Sequence, residues 1–338
     1  MNKRYFLSKT LNSLFVFDIL AHHTSNKGYL IVLAYHRICD RQNTFLSDEE
    51  VVSATPEDFE KQLKFVKRHF SVIGLGELQK HCLCGSSLPK KPVMITFDDG
   101  YKDNYLYAFN ILKKHDLKAT FFISTSYIEN RDLFWWDKIA YIFKSSRKKV
   151  IKFRYARYER EYKMPEDRTT AIREIQQIVK RTYGLNLSAF MEQLALNADV
   201  SIQNTPNIGD EMLLTWSEIK DMKLAGMDIG SHTKTHRVLS TLYEDELLEE
   251  LSESKNILES HLEEPICSLS YPVGGDSSFN QKVKDFSRRC NYLLAFSYGK
   301  GFNNLGEIDP FNIKRLGLDG ASLSFFKGAI TMPRQLIK

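Results

Sequence analysis

Apolar and polar positions along this chain switch between two periods, and the switching predicts its elements. Residues 29–35 (YLIVLAY) are apolar throughout, the pattern of a strand buried on both faces. Residues 92–98 (PVMITFD) and 118–124 (KATFFIS) repeat that pattern. Further extended runs are expected at 71–75, 227–231, 265–271, 292–298 and 312–318. Between them apolar residues fall at helical spacing, over 59–69, 105–115, 216–225, 244–262 and near 280–289. Gly226 stops one of these helices in the usual C-terminal manner. About eight strands, most joined through helices, predict a parallel sheet. The expected fold class is α/β, a distorted (β/α) barrel of about seven to eight mostly parallel strands.

The region 130–210 breaks this rhythm. It opens on Phe134-Trp135-Trp136, carries Arg147-Lys148-Lys149, and is dense in Arg, Tyr and Glu over 152–163. Helical patterns follow near 168–183 and 187–197, so a mostly helical insertion between two barrel strands is expected. The expected organisation is a helical segment 1–28, a barrel 29–320 containing the insertion 130–210, and a tail 321–338.

At the N-terminus, Lys3 and Arg4 precede an apolar run interrupted by Asn12, Ser13 and Asp18. That run falls short of the ~20 apolar residues of a membrane span. Two readings stay open: a packed amphipathic first helix, or a basic, apolar anchor lying on a membrane surface. No small-x-small cleavage site follows, and a cytoplasmic protein, or one peripheral to the inner membrane, is expected. Net charge is only +5, from 47 basic and 42 acidic residues, which argues against nucleic acid as a partner. Five cysteines, an odd number in a chain of 338 residues, argue against a disulfide framework. His81-Cys82-Leu83-Cys84 lacks a second pair at zinc-finger spacing and reads as reduced thiols near a turn.

On this strand map the chemically active residues gather at strand ends. His36 follows the first strand, and Asp98 and Asp99 end the 92–98 run. Ser124 and Thr125 end the next, His232 and His236 follow the 227–231 run, and Ser270 to Gly274 close another. Arg315 lies on the last. The C-terminal ends of barrel strands form one rim, whereas chance would scatter such residues over both. Two imidazoles and a carboxylate can hold a divalent metal and leave positions open for water and substrate. A second carboxylate is then free to act as a base, which is the minimum kit for metal-assisted hydrolysis.

Thr96-Phe97-Asp98-Asp99-Gly100-Tyr101, with Ser231-His232-Thr233-Lys234-Thr235-His236, resembles the first two motifs of the polysaccharide deacetylase family (NodB homology, carbohydrate esterase family 4). The resemblance runs from about Leu30 to Leu318, apart from the insertion. It implies a distorted β/α barrel and a divalent metal, commonly zinc, that serves to remove acetyl groups from N-acetylated sugars. By it, Asp99, His232 and His236 match the metal ligands and Asp98 the general base. Most members place an acid histidine near the C-terminal end, but no histidine follows His261 here. Leu33-Ala34-Tyr35-His36-Arg37 instead resembles the N-terminal histidine motif of a circularly rearranged branch that includes biofilm-glucosamine deacetylases. His36 is therefore the candidate acid, the alternative being a histidine hydrogen-bonded beneath the site.

The third motif departs from the family. Ser270-Tyr271-Pro272-Val273 stands where arginine-x-proline-tyrosine is usual. Serine cannot supply the cation that steadies the base, so Arg37 or Arg315 is expected to take over. The Val273 N–H matches the family's oxyanion donor, Tyr271 lies beside it, and Gly274-Gly275 lets a substrate approach the main chain. Trp135 and Trp136 suit a core better than a sugar platform, with a lid over a glycan as the second reading of the insertion. The basic stretch Arg147–Lys152 reads as a solvated face, or else as a contact for a phosphate-bearing carrier. The expected function is metal-dependent N-deacetylation of a sugar in an envelope polysaccharide or its precursor. The alternatives are removal of a formyl group from a lipid-linked amino sugar, or a catalytically silent glycan-binding module. A pure binder has no use for the base, so the intact acidic pair and histidine pair count against the last.

Overall fold

Seven of the apolar runs close into a ring. In a computed structural model, residues 16–23, 28–44, 47–203, 205–299, 301–317 and 319–331 are described. The ring strands are β1 (Tyr29–Tyr35), β2 (Pro92–Phe97), β3 (Thr120–Ile123), β4 (Asp228–Ser231), β5 (Ser268–Ser270), β6 (Leu294–Gly299) and β7 (Ile313–Gly317). Each is parallel to the next in chain order, and β7 and β2 both pair with β1, closing a parallel barrel. Ser71–Val72 extends the sheet parallel to β2, and Asn303–Asn304 lies antiparallel to β1. The distorted (β/α) barrel expected from the sequence is therefore the fold.

Alternation along these strands divides two apolar clusters. Leu30 and Val32 of β1, Met94 of β2, Phe122 of β3, Leu294 and Phe296 of β6 and Ile313 of β7 form one cluster. Their neighbours Ile31, Leu33, Val93, Ile95 and Phe121 belong to the other, beneath the helices. The rings of Phe122 and Phe296 lie 5.1 Å apart although β3 and β6 are not adjacent, so they meet through the barrel interior. Continuing that inward phase to the C-terminal rim reaches His36, Asp98, His232, Ser270, Tyr298, Arg315 and Asp319. Period two thus builds a dry plug and, above it, a polar layer.

The surrounding helices start and stop for local reasons. Thr55 accepts a hydrogen bond from the Asp58 N–H at 3.2 Å and caps Pro56–His69, with proline at the first position. Thr215 and Glu218 form a capping box for Trp216–Leu224, and Gly226, at φ +89°, turns the chain out. The helix expected over 105–115 begins as a π-helical turn, Asn104–Phe109, before Asn110–Lys114. His81 to Cys84 end a helix, Leu75–Cys84, and the His81 nitrogens face the Ser86 and Leu305 carbonyls rather than thiols. All five cysteines are unpaired.

Residues 130–210 hold helices Arg168–Arg181 and Leu187–Ala198 where the pattern placed them, and also helix Trp135–Ser145 and an antiparallel hairpin, Val150–Tyr155 with Tyr158–Lys163, which it did not show. Ile151 and Phe153 are buried while Lys152 and Arg154 are exposed, an alternation that dense charge obscures in the sequence. Of the expected N-terminal segment, Val16–His23 is helical and packs against Pro56–His69 and Leu323–Thr331. Asp18 pairs there with His69 at 3.1 Å and Lys327 at 3.2 Å. Residues 1–15 and 24–27, and 332–338 of the expected tail, lie outside the described residues. Among the described residues, no helix is long and apolar enough to cross a membrane.

Candidate active site

Asp98 and Asp99 leave the end of β2 together, and in a continued strand their side chains would point to opposite faces. Asp99 instead adopts φ +77°, which Asp tolerates better than most residues, and Gly100 follows at +103°. Both carboxylates consequently reach the same imidazole: His232 Nε2 lies 3.7 Å from Asp98 and 3.5 Å from Asp99. His236 Nε2 is also 3.5 Å from the same oxygen of Asp99. The two histidines sit on the loop after β4, not on a helix. Thr233 at φ +64° and His236 at +53° fold that loop back. Ser231 Oγ accepts from the Thr233 N–H, Thr233 Oγ1 from the His236 N–H, and buried Glu250 from Thr235.

These three residues fit a divalent ion. Donor atoms of Asp99, His232 and His236 all lie within 4.8 Å of one another, and all three residues are buried. Both Asp99 carboxylate oxygens lack any hydrogen-bond partner, a costly state for a buried acid unless a cation faces it. Burial pushes its carboxyl up to about 8; His36 opposes this, while Asp98 and Asp137 add to it. Burial likewise lowers His232 to about 4 and His236 well below its ordinary value, leaving neutral imidazoles. The His232 Nδ1 nitrogen is 2.8 Å from the Ser270 carbonyl and donates there, so the Nε2 lone pair turns toward Asp99. Trp136 packs on the His236 ring at 4.4 Å, and Trp135 donates to the His236 carbonyl. Both tryptophans are buried core residues that also wall the cavity.

Asp98 has the opposite environment. Arg315, fully buried on β7, grips it with two parallel hydrogen bonds of 2.7 Å and donates a third, also 2.7 Å, to Ser270 Oγ. Burial would raise the Asp98 pKa, but this guanidinium, with His232, holds it well below the usual carboxylate range. Arg315 rests over the Phe122 ring, on top of the apolar plug. Arg37 does not reach Asp98. It is spent on Asp103 at 2.8 Å and Ser47 at 2.9 Å.

His36 enters from β1, 3.6 Å from the Asp319 carboxylate beyond β7. Burial would lower its pKa, yet Asp319, together with Asp99 and Asp98, outweighs this and the imidazole is raised to about 9. Asp319 also accepts from Ser53 Oγ at 2.5 Å and from the Tyr298 hydroxyl. The backbone of His36 is fixed on both sides, its N–H on Ser53 Oγ and its carbonyl on Asn104 Nδ2. Sequence pattern alone does not single out Asp319, Ser53, Asn104 or Glu250. Asp319 carried the best available signal, an Asp-Gly pair just past a strand on the same rim.

Beyond β5, Val273 takes φ +62°, and its N–H finds no acceptor among the described residues. Gly274 follows at +64°, where a Cβ would meet the Tyr298 nitrogen at 2.5 Å. Tyr271 is buried with its hydroxyl given to the Phe311 carbonyl, so it lines the floor and offers no free donor. Asp98, Asp99, His36, His232, His236, Arg315, Asp319, Tyr271 and Val273 line one cavity of about 460 Å³, part of whose wall (Arg173, Gln176 and Lys180) comes from the insertion; Gly274 does not line it. His261, paired with Glu129 and stacked on Trp216, does not line it.

Comparison with known proteins gives a consistent result. Residues 85–295 match the family profile described as polysaccharide deacetylase. A putative polysaccharide deacetylase of Bacillus subtilis, YxkH, is 21% identical over 82% of this chain and 67% of its own. The poly-beta-1,6-N-acetyl-D-glucosamine N-deacetylase of Staphylococcus epidermidis is 34% identical, but over only 30% of this chain and 38% of its own. Among solved structures, the Streptococcus pyogenes deacetylase PplD, in complex with acetate, superposes with a TM-score of 0.56 at 19% identity, covering 88% of this chain and 96% of that one. IcaB from Ammonifex degensii gives 0.56 at 17% identity, covering 90% and 97%. At such identities the structural likeness speaks for the fold.

Proposed function

The chain belongs to the polysaccharide deacetylase family, and from that premise we propose that it is a metal-dependent hydrolase removing N-acetyl groups from a sugar of an envelope polysaccharide or its precursor. The observation that carries this reading is the split between two adjacent carboxylates. Asp98 is held ionised by Arg315, while Asp99 is buried, unpartnered and faced by two neutral imidazoles. Asp99, His232 and His236 would hold the ion, and the mixed oxygen and nitrogen donor set suits zinc. The names of the staphylococcal relatives support N-acetylglucosamine as the reacting sugar.

In this mechanism a bound ion would polarise the acyl oxygen and acidify the attacking water, which lets a carboxylate as weakly basic as Asp98 serve as base. Asp98 takes the water proton as the new C–O bond forms, and Arg315 keeps its oxygens aimed. The Val273 N–H donates to the oxygen that becomes negative. His36, protonated through Asp319, gives its proton to the amine nitrogen as the C–N bond breaks. Acetate and the free amino sugar result.

The test is acetate release together with metal content in Asp98→Asn. The variant is expected to retain its metal and to lose about 10²–10⁴-fold in kcat. Unchanged turnover would remove Asp98 from its role. Formate appearing in place of acetate, across a panel of N-acylated glycans and lipid-linked sugars, would move the reading to a deformylase on the same site.

A further inference from the structure

Around the cavity, every fixed charge except two makes a direct ion pair with an opposite charge. Arg315 faces Asp98, His36 faces Asp319, and Arg173 faces Asp48 at 2.5 Å and Glu50 at 3.1 Å. Gln176 spends its amide on Asp48 as well. The two exceptions are Asp99, which the metal would answer, and Lys180. Lys180 is half-buried, lines the same cavity, and has no hydrogen-bond or ion-pair partner among the described residues. Arg173, Gln176 and Lys180 lie at spacings of three and four on helix Arg168–Arg181, so one face of the insertion supplies all three. Burial works against the Lys180 ammonium and lowers its pKa, and Asp48 offsets only part of that. A half-buried ammonium with no direct partner gains from an anion that meets it.

We propose that the sugar deacylated here carries an anionic group, a phosphate or a carboxylate, which Lys180 receives while the N-acyl group lies against Asp99, His232 and His236. This rests on the deacetylase reading for where the sugar sits, and it adds the charge of the substrate. The insertion then selects the substrate and the barrel rim performs the chemistry. A neutral polymer would leave Lys180 without a direct ion pair, and Arg173 could not substitute because its two carboxylates hold it.

The experiment is calorimetric titration of the full, metal-loaded chain with three sugars: N-acetylglucosamine 1-phosphate, 2-acetamido-2-deoxyglucuronic acid and neutral methyl N-acetylglucosaminide. Wild type is expected to bind one or both anionic sugars about ten-fold more tightly than the neutral one. Lys180→Met should erase that margin and leave the neutral sugar unchanged, and Lys180→Arg should keep it. The phosphate and carboxylate arms show which anion is meant. Equal affinities in wild type, a margin that survives Lys180→Met, or parallel loss for all three sugars would each overturn the proposal. Absence of acyl release from any sugar, with the Lys180-dependent margin intact, would instead sink the deacetylase reading and leave the anion site standing.

Discussion

Asp98 and Asp99 are neighbours in the chain with opposite surroundings, and the surroundings decide what each can do. A bidentate arginine fixes one as an anion; the other has no protein partner and is suited to an ion. The same principle governs His36, whose buried imidazole lies 3.6 Å from the Asp319 carboxylate. With that carboxylate its pKa rises to about 9, so the ring remains charged as pH climbs past the ordinary histidine value. Asp319→Asn withdraws the support, the folded pKa falls, and the proton is lost at lower pH. The alkaline limb of a kcat/KM profile should therefore shift to lower pH in the variant while the acid limb stays. An unmoved alkaline limb would take His36 out of the acid role. At this scale the sequence displayed the reactive residues well, because reactive types at strand ends are conspicuous. Their supporters were hidden, since a serine or asparagine such as Ser53 or Asn104 has no signature of its own.

Loops after strands do the aiming, and they do so through backbone conformations that side chains resist. Asp99, Thr233, His236 and Val273 all have positive φ without being glycine, and all four surround the cavity or its candidate metal ligands. Gly274 shows the limit of this device. Its φ of +64° and the Tyr298 nitrogen at 2.5 Å from any added Cβ leave no room for a side chain. Gly274→Ala should cost about 1–2 kcal/mol or more from the left-handed backbone and the clash, read as a lower midpoint in thermal or urea unfolding. Turnover should fall with it, because Val273 shares the turn. Wild-type stability in the variant would mean that the approach to Tyr298 is slack. The π-helical turn Asn104–Phe109 belongs to the same scale: it carries Asn104 to the His36 carbonyl, just after Asp103 binds Arg37 and the Ile38 N–H. A helix was legible there, but not its widened first turn, which coincides with contacts to residues 36–38, far away in the chain.

For the whole molecule, the barrel's closure brings the two halves of the candidate metal site together. Asp99 comes from the end of β2 and the histidines from beyond β4, with the insertion between them in sequence. An ion bound across them should tie those parts of the fold together and stabilise it by mass action. At a free zinc concentration a hundred times Kd the gain is about 2.7 kcal/mol. Calorimetry of chelated and zinc-reloaded chain should show the higher midpoint with zinc, and His232→Ala should abolish the difference. An identical midpoint with and without zinc would argue that these ligands do not share one ion. What the sequence determined by itself was the set of barrel strands, their mostly parallel pairing and the placing of the candidate site residues on one rim. Those follow from apolar periodicity and strand-end position, which are local properties of the chain. Only the tertiary structure decided that Arg315 rather than Arg37 grips Asp98, that His36 meets Asp319, and that Lys180, among the described cations lining the cavity, has no direct ion pair. Each of those depends on distances between segments far apart in the chain, and such distances are fixed only when the ring closes and the insertion packs against it.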